Sequence, residues 1–168
     1  MQHALIDFYY QFHTKQHYFL CHDILEEAWK AQPHYSKNDM IVSLILFATA
    51  SYHYRRQNFI GARRLYQKAY DIVEPYDDDS VMLQLGIEAS QYRSQLNMLI
   101  EATHSQLPFS PIALPITHDM KKALKRSYPT YYWCDTLIQS ENIIHHHKYR
   151  DRSDVIAARK TAWALRNQ

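Results

Sequence analysis

Two residues, "QN" at 57 and 58, are all that separate two long helical patterns in this chain. Before them, "NDMIVSLILFATASYHYRR" (38–56) is apolar nearly all round in its first half, with Arg55 and Arg56 in the last turn, where positive charge suits a helix end. After them, Ala62, Leu65, Tyr66, Ala69, Ile72 and Val73 recur at helical spacing, with Arg63, Arg64, Gln67, Lys68 and Asp71 on the opposite face. So short a link holds its helices side by side and antiparallel, with Asn58 placed to cap the second. An all-round apolar helix must be contacted from several directions, so 38–56 is expected at the centre of a bundle.

Composition agrees with helices. The chain has two glycines in 168 residues, whereas a sheet-rich fold would draw on many for positive-φ turns. Apolar residues make up 46% and charged residues 21%, which excludes a disordered polymer. This length supports one core, so a single domain over 1–168 is expected.

The remaining elements follow from periodicity and breakers. Leu5, Phe8, Tyr9 and Phe12 predict a helix over 2–14. Residues 17–31 place Tyr18, Cys21, Leu25, Ala28 and Trp29 on one side and Asp23, Glu27 and Lys30 on the other, and Pro33 stops the run. Beyond Pro75, "YDDDS" can cap a helix over 80–103. The tract "LPFSPIALPI" (107–116) predicts an extended crossover pinned through Phe109, Ile112 and Leu114, followed by helices near 118–126, 131–142 and 152–166. The fold class is therefore all-α: a compact bundle of stacked antiparallel helix hairpins with a proline-rich crossover and a C-terminal helical extension. A weak echo at an offset of 41 residues supports stacking. "QHYFLCHDILEEA" (16–28) matches "QNFIGARRLYQKA" (57–69), and Ala62, Tyr66 and Ala69 resemble the second helix of a tetratricopeptide hairpin in local architecture only.

Cys21 and Cys134 are expected as free thiols in a reducing compartment. The N-terminus lacks a secretory pattern, and the longest apolar run, 40–50, is too short to cross a bilayer, so a cytoplasmic location without membrane association is expected. Residues 1–99 carry nine basic and eleven acidic side chains (−2), and 100–168 carry ten and six (+4).

The chemistry concentrates in "FLCHDILEEAW" (19–29). His22 and Glu26 stack four apart at the edge of the buried stripe, whereas Asp23 and Glu27 are expected to face water. His53 can approach from the neighbouring helix. Such a group can be a lock in which a half-buried imidazole is satisfied by its carboxylate, a divalent-cation or acid-base site, or a recognition patch. As an enzyme, Glu26 would be the general base, His22 the acid or orienting group and His53 a second donor or ligand. The economical reading is the lock, with Trp29 filling the interhelical space. The chain has no glycine-rich phosphate loop, nucleophile elbow or paired-cysteine motif, and no cofactor is expected.

"HDILEEAW" (22–29) followed by "SLILFATASYHYRRQNFIGARRLYQKA" (43–69) resembles the bacterial, archaeal and plastid helical family DUF309, a domain of unknown function. His22, Glu26, Trp29, His53, Asn58, Gly61 and Ala62 occupy positions that match the family pattern. Asp23 stands where members commonly have Glu, and Leu46 in "SLIL" replaces a polar residue. The resemblance covers about 10–74 as a family-like core, with an extension over about 105–168. It implies a compact all-helical protein and carries no activity with it.

Two further stretches invite a functional reading. His145, His146 and His147 are weak metal candidates, because consecutive side chains on a regular helix do not converge on one ion. The tail "HKYRDRSDVIAARKTAWALR" is basic with Tyr149 and Trp163, but Asp151 and Asp154 interrupt the charge and fit a helix start better than a phosphate site, so nucleic acid is not the expected partner. Fourteen tyrosines and three tryptophans favour a non-catalytic scaffold that meets another protein or a second copy of itself.

Overall fold

The computed structural model describes residues 1–76 and 78–144. Asp77, the His145–His147 triplet and the helix expected over 152–166 lie outside the described residues. The elements are α1 (Gln2–Tyr10), which runs directly into a π-helical turn (Gln11–Lys15), then α2 (Tyr18–Lys30), α3 (Met40–Arg55), α4 (Phe59–Val73), α5 (Ser80–Gln84), α6 (Ala89–His104), α7 (His118–Ser127) and α8 (Glu141–Ile144). Among the described residues there is no strand, and one isolated antiparallel bridge joins Ile87 to Ile116. The protein is a compact all-α bundle.

Helix α3 packs against both α2 and α4, α4 also meets α6, and α1 lies against α2 and α7. Leu44, Phe47, Ala48, Ala50 and Ser51, spread round α3, are all fully buried, as its apolar periphery requires. Phe47 sits at the middle of an aromatic core, with ring centroids 5.8 Å from Phe12, 5.2 Å from Tyr66 and 5.4 Å from Tyr92. Buried tyrosines need partners for their hydroxyls, and two serines of α3 provide them. Ser43 Oγ donates to the Ala69 carbonyl (2.8 Å) and so accepts from Tyr92 Oη (3.0 Å). Ser51 Oγ donates to Phe47 O (2.9 Å) and accepts from Tyr66 Oη (2.9 Å).

The chain manages with two glycines because glutamines take positive φ. Gln57 (φ 59°) and Gln106 (φ 53°) stand just past α3 and α6. After α3, Asn58 N donates to His53 O (3.0 Å) and Gln57 N to Tyr54 O (2.9 Å). After α6, Leu107 N donates to Ala102 O (2.9 Å) and Gln106 N to Thr103 O (3.3 Å). Both are paired backbone closures of the kind usually built on glycine. Gly86 (φ 81°) does the same after α5, through Ile87 N to Met82 O and Gly86 N to Leu83 O. The 41-residue echo has a backbone counterpart here. Gln16 (φ 52°) and Gln57 are both left-handed, and the next residues, His17 and Asn58, each cap the following helix with a side-chain acceptor.

Three expected elements are corrected. The helix expected over 80–103 is two helices broken at Gly86, where a Cβ would lie 2.5 Å from the Met120 Cε. The backbone there pairs with the crossover, Thr117 N donating to Gly86 O and Glu88 N to Pro115 O. The 2–14 helix widens to a π turn after Tyr10. Residues 131–140 are not helical, because the π turn and Gln16, the residue that follows it, take up backbone groups of this segment. Thr14 Oγ1 donates to Tyr132 O (2.6 Å), Gln16 Nε2 to Cys134 O (3.0 Å) and Thr136 O (2.8 Å), and Ile138 N to Gln16 Oε1 (3.1 Å). Arg55 adds donors to Gln16 O (3.1 Å) and Ile138 O.

Candidate functional site

Helix α2 carries the polar cluster. One turn brings His22 and Glu26 onto the same side, with His22 Nε2 3.9 Å from Glu26 Oε2. Asp23 joins them, which corrects the expectation that it faces water alone: His22 Nδ1 lies 3.1 Å from Asp23 Oδ1, and Asp23 is half-buried. A bent-back carboxylate reaches the preceding imidazole where helix angle alone separates the two residues. The outer oxygen of Glu26 accepts from Lys30 Nζ at 2.8 Å. Ligand atoms of His22, Asp23 and Glu26 all lie within 4.8 Å of one another, a nitrogen-and-oxygen set suited to a divalent cation on a partly open face. The Phe19 ring, 6.1 Å from that of His22, closes one side.

His53 is held in a different device. At the end of α3 its Nδ1 accepts from Asn58 Nδ2 (2.9 Å), while Asn58 Oδ1 accepts from Gly61 N (3.0 Å). Burial, then the neighbouring Arg56, lowers the His53 pKa from its usual value, consistent with a neutral ring that accepts. Gly61 is required by this turn, since a Cβ would meet Asn58 Nδ2 at 2.7 Å. Ala62 is fully buried against the bundle. His53, Asn58, Gly61 and Ala62 thus form one helix-to-helix turn.

Trp29 is buried as expected, but its indole N–H has a specific partner, Asp39 Oδ2 at 2.8 Å, and the same oxygen accepts from Ser36 N at 2.8 Å. Tyr35 stacks edge-on at 5.0 Å. Together they fasten the α2–α3 loop.

The sequence reading passed over His13, a buried histidine in the π turn. Leu114 N donates to His13 Nε2 (2.8 Å), so the ring proton is on Nδ1 and donates to Tyr131 Oη (2.7 Å). Desolvation brings the His13 pKa down to about 4, and burial raises Tyr131 to about 12. One signal was available: His13 follows Tyr9 by four, on the apolar face of the first helical pattern. Its partners, 101 and 118 residues away, could not be read from spacing.

Comparison with known proteins places these residues in context. The family described as "Domain of unknown function (DUF309)" matches residues 5–65, which include His13, the α2 cluster and the His53–Ala62 turn. A relative from Bacillus subtilis (strain 168), "Uncharacterized protein YpuF", is 31% identical over 161 residues, covering 94% of this chain and 91% of the relative. No solved structure matches the chain significantly.

Proposed function

The chain belongs to the DUF309 family, and on that premise we propose that it is a non-catalytic protein-interaction module of the cytoplasm. In this reading stacked helix hairpins form one domain over 1–168, with the core over 10–74 and the extension over 105–168. The observation that carries it is an apolar strip where α6 meets the crossover. Met98 is 64% exposed, Leu107 52% and Trp133 45%. Met98, Leu107 and Trp133 line one hollow of about 390 Å³ together with Leu99, Ala102 and Pro108. Large apolar side chains left open side by side are what a partner's apolar face buries. We assign this strip to a protein partner; among the described residues no helix is long and apolar enough to cross a membrane. Replacing Met98 and Leu107 by Glu tests it: light scattering and affinity capture should show an assembly formed by the parent chain and lost in the variant. A strictly monomeric parent with no reproducible protein partner at physiological salt, or a partner retained equally by the variant, overturns the reading.

A second reading rests on the convergence of His22, Asp23 and Glu26, which would hold a divalent cation. Calorimetric titration with zinc or manganese should show a site that His22→Ala abolishes, whether or not the 145–147 histidines bind a further ion. Binding unaffected by that substitution places the ion elsewhere.

A further inference from the structure

We propose that the hollow between α7, the crossover and residues 131–133 binds a small anion carrying a flat ring, of the nucleoside-phosphate class. The hollow, about 480 Å³, is of small-ligand size and is separate from the α2 cluster. Its lining includes His13, Lys121, Lys125, Tyr131, Tyr132 and Trp133.

The two kinds of wall call for the two halves of such a ligand. Lys121 and Lys125 stand four apart on α7, so their side chains share a face, and both are exposed. Neither has an ion-pair partner among the described residues, whereas their neighbour Lys122 lies 3.9 Å from Asp119. Two like charges on one rim repel, and an anion between them relieves that repulsion. The same lining carries Tyr132, a large aromatic side chain that is 58% exposed and takes no part in the apolar strip. An aromatic face accepts a flat ring by stacking whichever base it belongs to.

The aromatic wall is also built rigidly. Extended segments do not hold side chains in place by themselves, yet this one is tied at Tyr132 O by Thr14, at Cys134 O by Gln16 and at Cys134 N by the His13 carbonyl (3.0 Å). His13 bonds both the Tyr131 hydroxyl and Leu114 N, so both of its ring nitrogens are taken up in holding this wall to the crossover. Turns of the π type recur at functional sites, and here the turn carries His13 and Thr14, with Gln16 directly after it, all three bonded to residues 131–138. A preorganised aromatic side chain in the same hollow as two ammonium groups that have no ion-pair partner among the described residues lowers the ordering cost of a ligand.

The test is calorimetric titration at physiological salt with the monophosphates of adenosine, guanosine, cytidine and uridine, and separately with inorganic phosphate and adenosine. At least one monophosphate should bind at a single site, about tenfold or more tighter than either phosphate or adenosine alone. The double variant Lys121→Gln, Lys125→Gln and the single variant Tyr132→Ala should each weaken it by about tenfold or more, and Lys122→Gln should not. All the altered side chains are exposed, and thermal melting will confirm that each variant folds. The proposal is overturned by the absence of saturable binding up to about 10 mM, by phosphate binding as tightly as every nucleotide, or by Lys122→Gln weakening binding as much as the double variant.

Discussion

Gln16, Gln57 and Gln106 share one backbone conformation and differ in what their side chains do. A non-glycine residue at positive φ carries strain on the order of 1–2 kcal/mol, offset in part by the greater freedom glycine would have when unfolded. Gln57 and Gln106 are exposed. Gln57→Gly and Gln106→Gly are therefore expected to raise stability by up to about 1 kcal/mol each in urea unfolding. Gln16 is buried and bonds Cys134, Thr136 and Ile138, so Gln16→Gly should lose about 2 kcal/mol or more despite the same relief of strain. If Gln16→Gly is also stabilising, the clamp on 131–138 holds nothing. At this scale the sequence disclosed the capping role of Asn58, because an N-cap is a local event between residues three apart. It was silent on the glutamines, whose left-handed backbone has no compositional mark.

The loop from α2 to α3 shows how an element is held by one side chain. Trp29 fills interhelical space and, through Asp39, fastens the residue at which α3 begins. Trp29→Ala should cost roughly 3–5 kcal/mol, the range for a large buried aromatic. Trp29→Phe keeps most of the packing, and Asp39 keeps its bond from Ser36 N, so a loss of about 1 kcal/mol is expected. Comparable losses from both variants would mean that the indole N–H, not the ring, governs the joint. Helices α2, α3, α4 and α7 were legible from apolar spacing and their breakers, since each buries a single stripe or its whole surface against near neighbours in the chain. The break at Gly86 and the non-helical 131–140 were not, because in both places distant backbone supplies the hydrogen bonds that a helix would have made for itself. The same distinction holds for the candidate site: His22 and Glu26 were found because one helix turn joins them, and His13 was missed because its partners come from the far end of the chain.

For the molecule as a whole, buried His13 and partly buried His53 make stability sensitive to acid. His13 has a folded pKa of about 4 against an ordinary value near 6.5, and that of His53 is also lowered. Below about pH 6.5 the unfolded chain binds protons that the native rings refuse, so stability is level above that pH and falls as pH drops toward 4. His13 alone accounts for roughly 2–4 kcal/mol of that fall. Urea unfolding from pH 7.5 to 4.5 should show it, and His13→Gln, which can serve Leu114 and Tyr131 without titrating, should flatten the curve. An unchanged slope in that variant would assign the acid loss to other groups. The bond from His13 to Tyr131 also has a consequence in time, since its ends are 118 residues apart in the chain. At a synthesis rate of about 5–20 residues per second, Tyr131 is made roughly 6–24 s after His13. For that interval the growing protein carries an imidazole whose partner does not yet exist, and the N-terminal helices must wait, largely assembled or not, for the segment that closes over them.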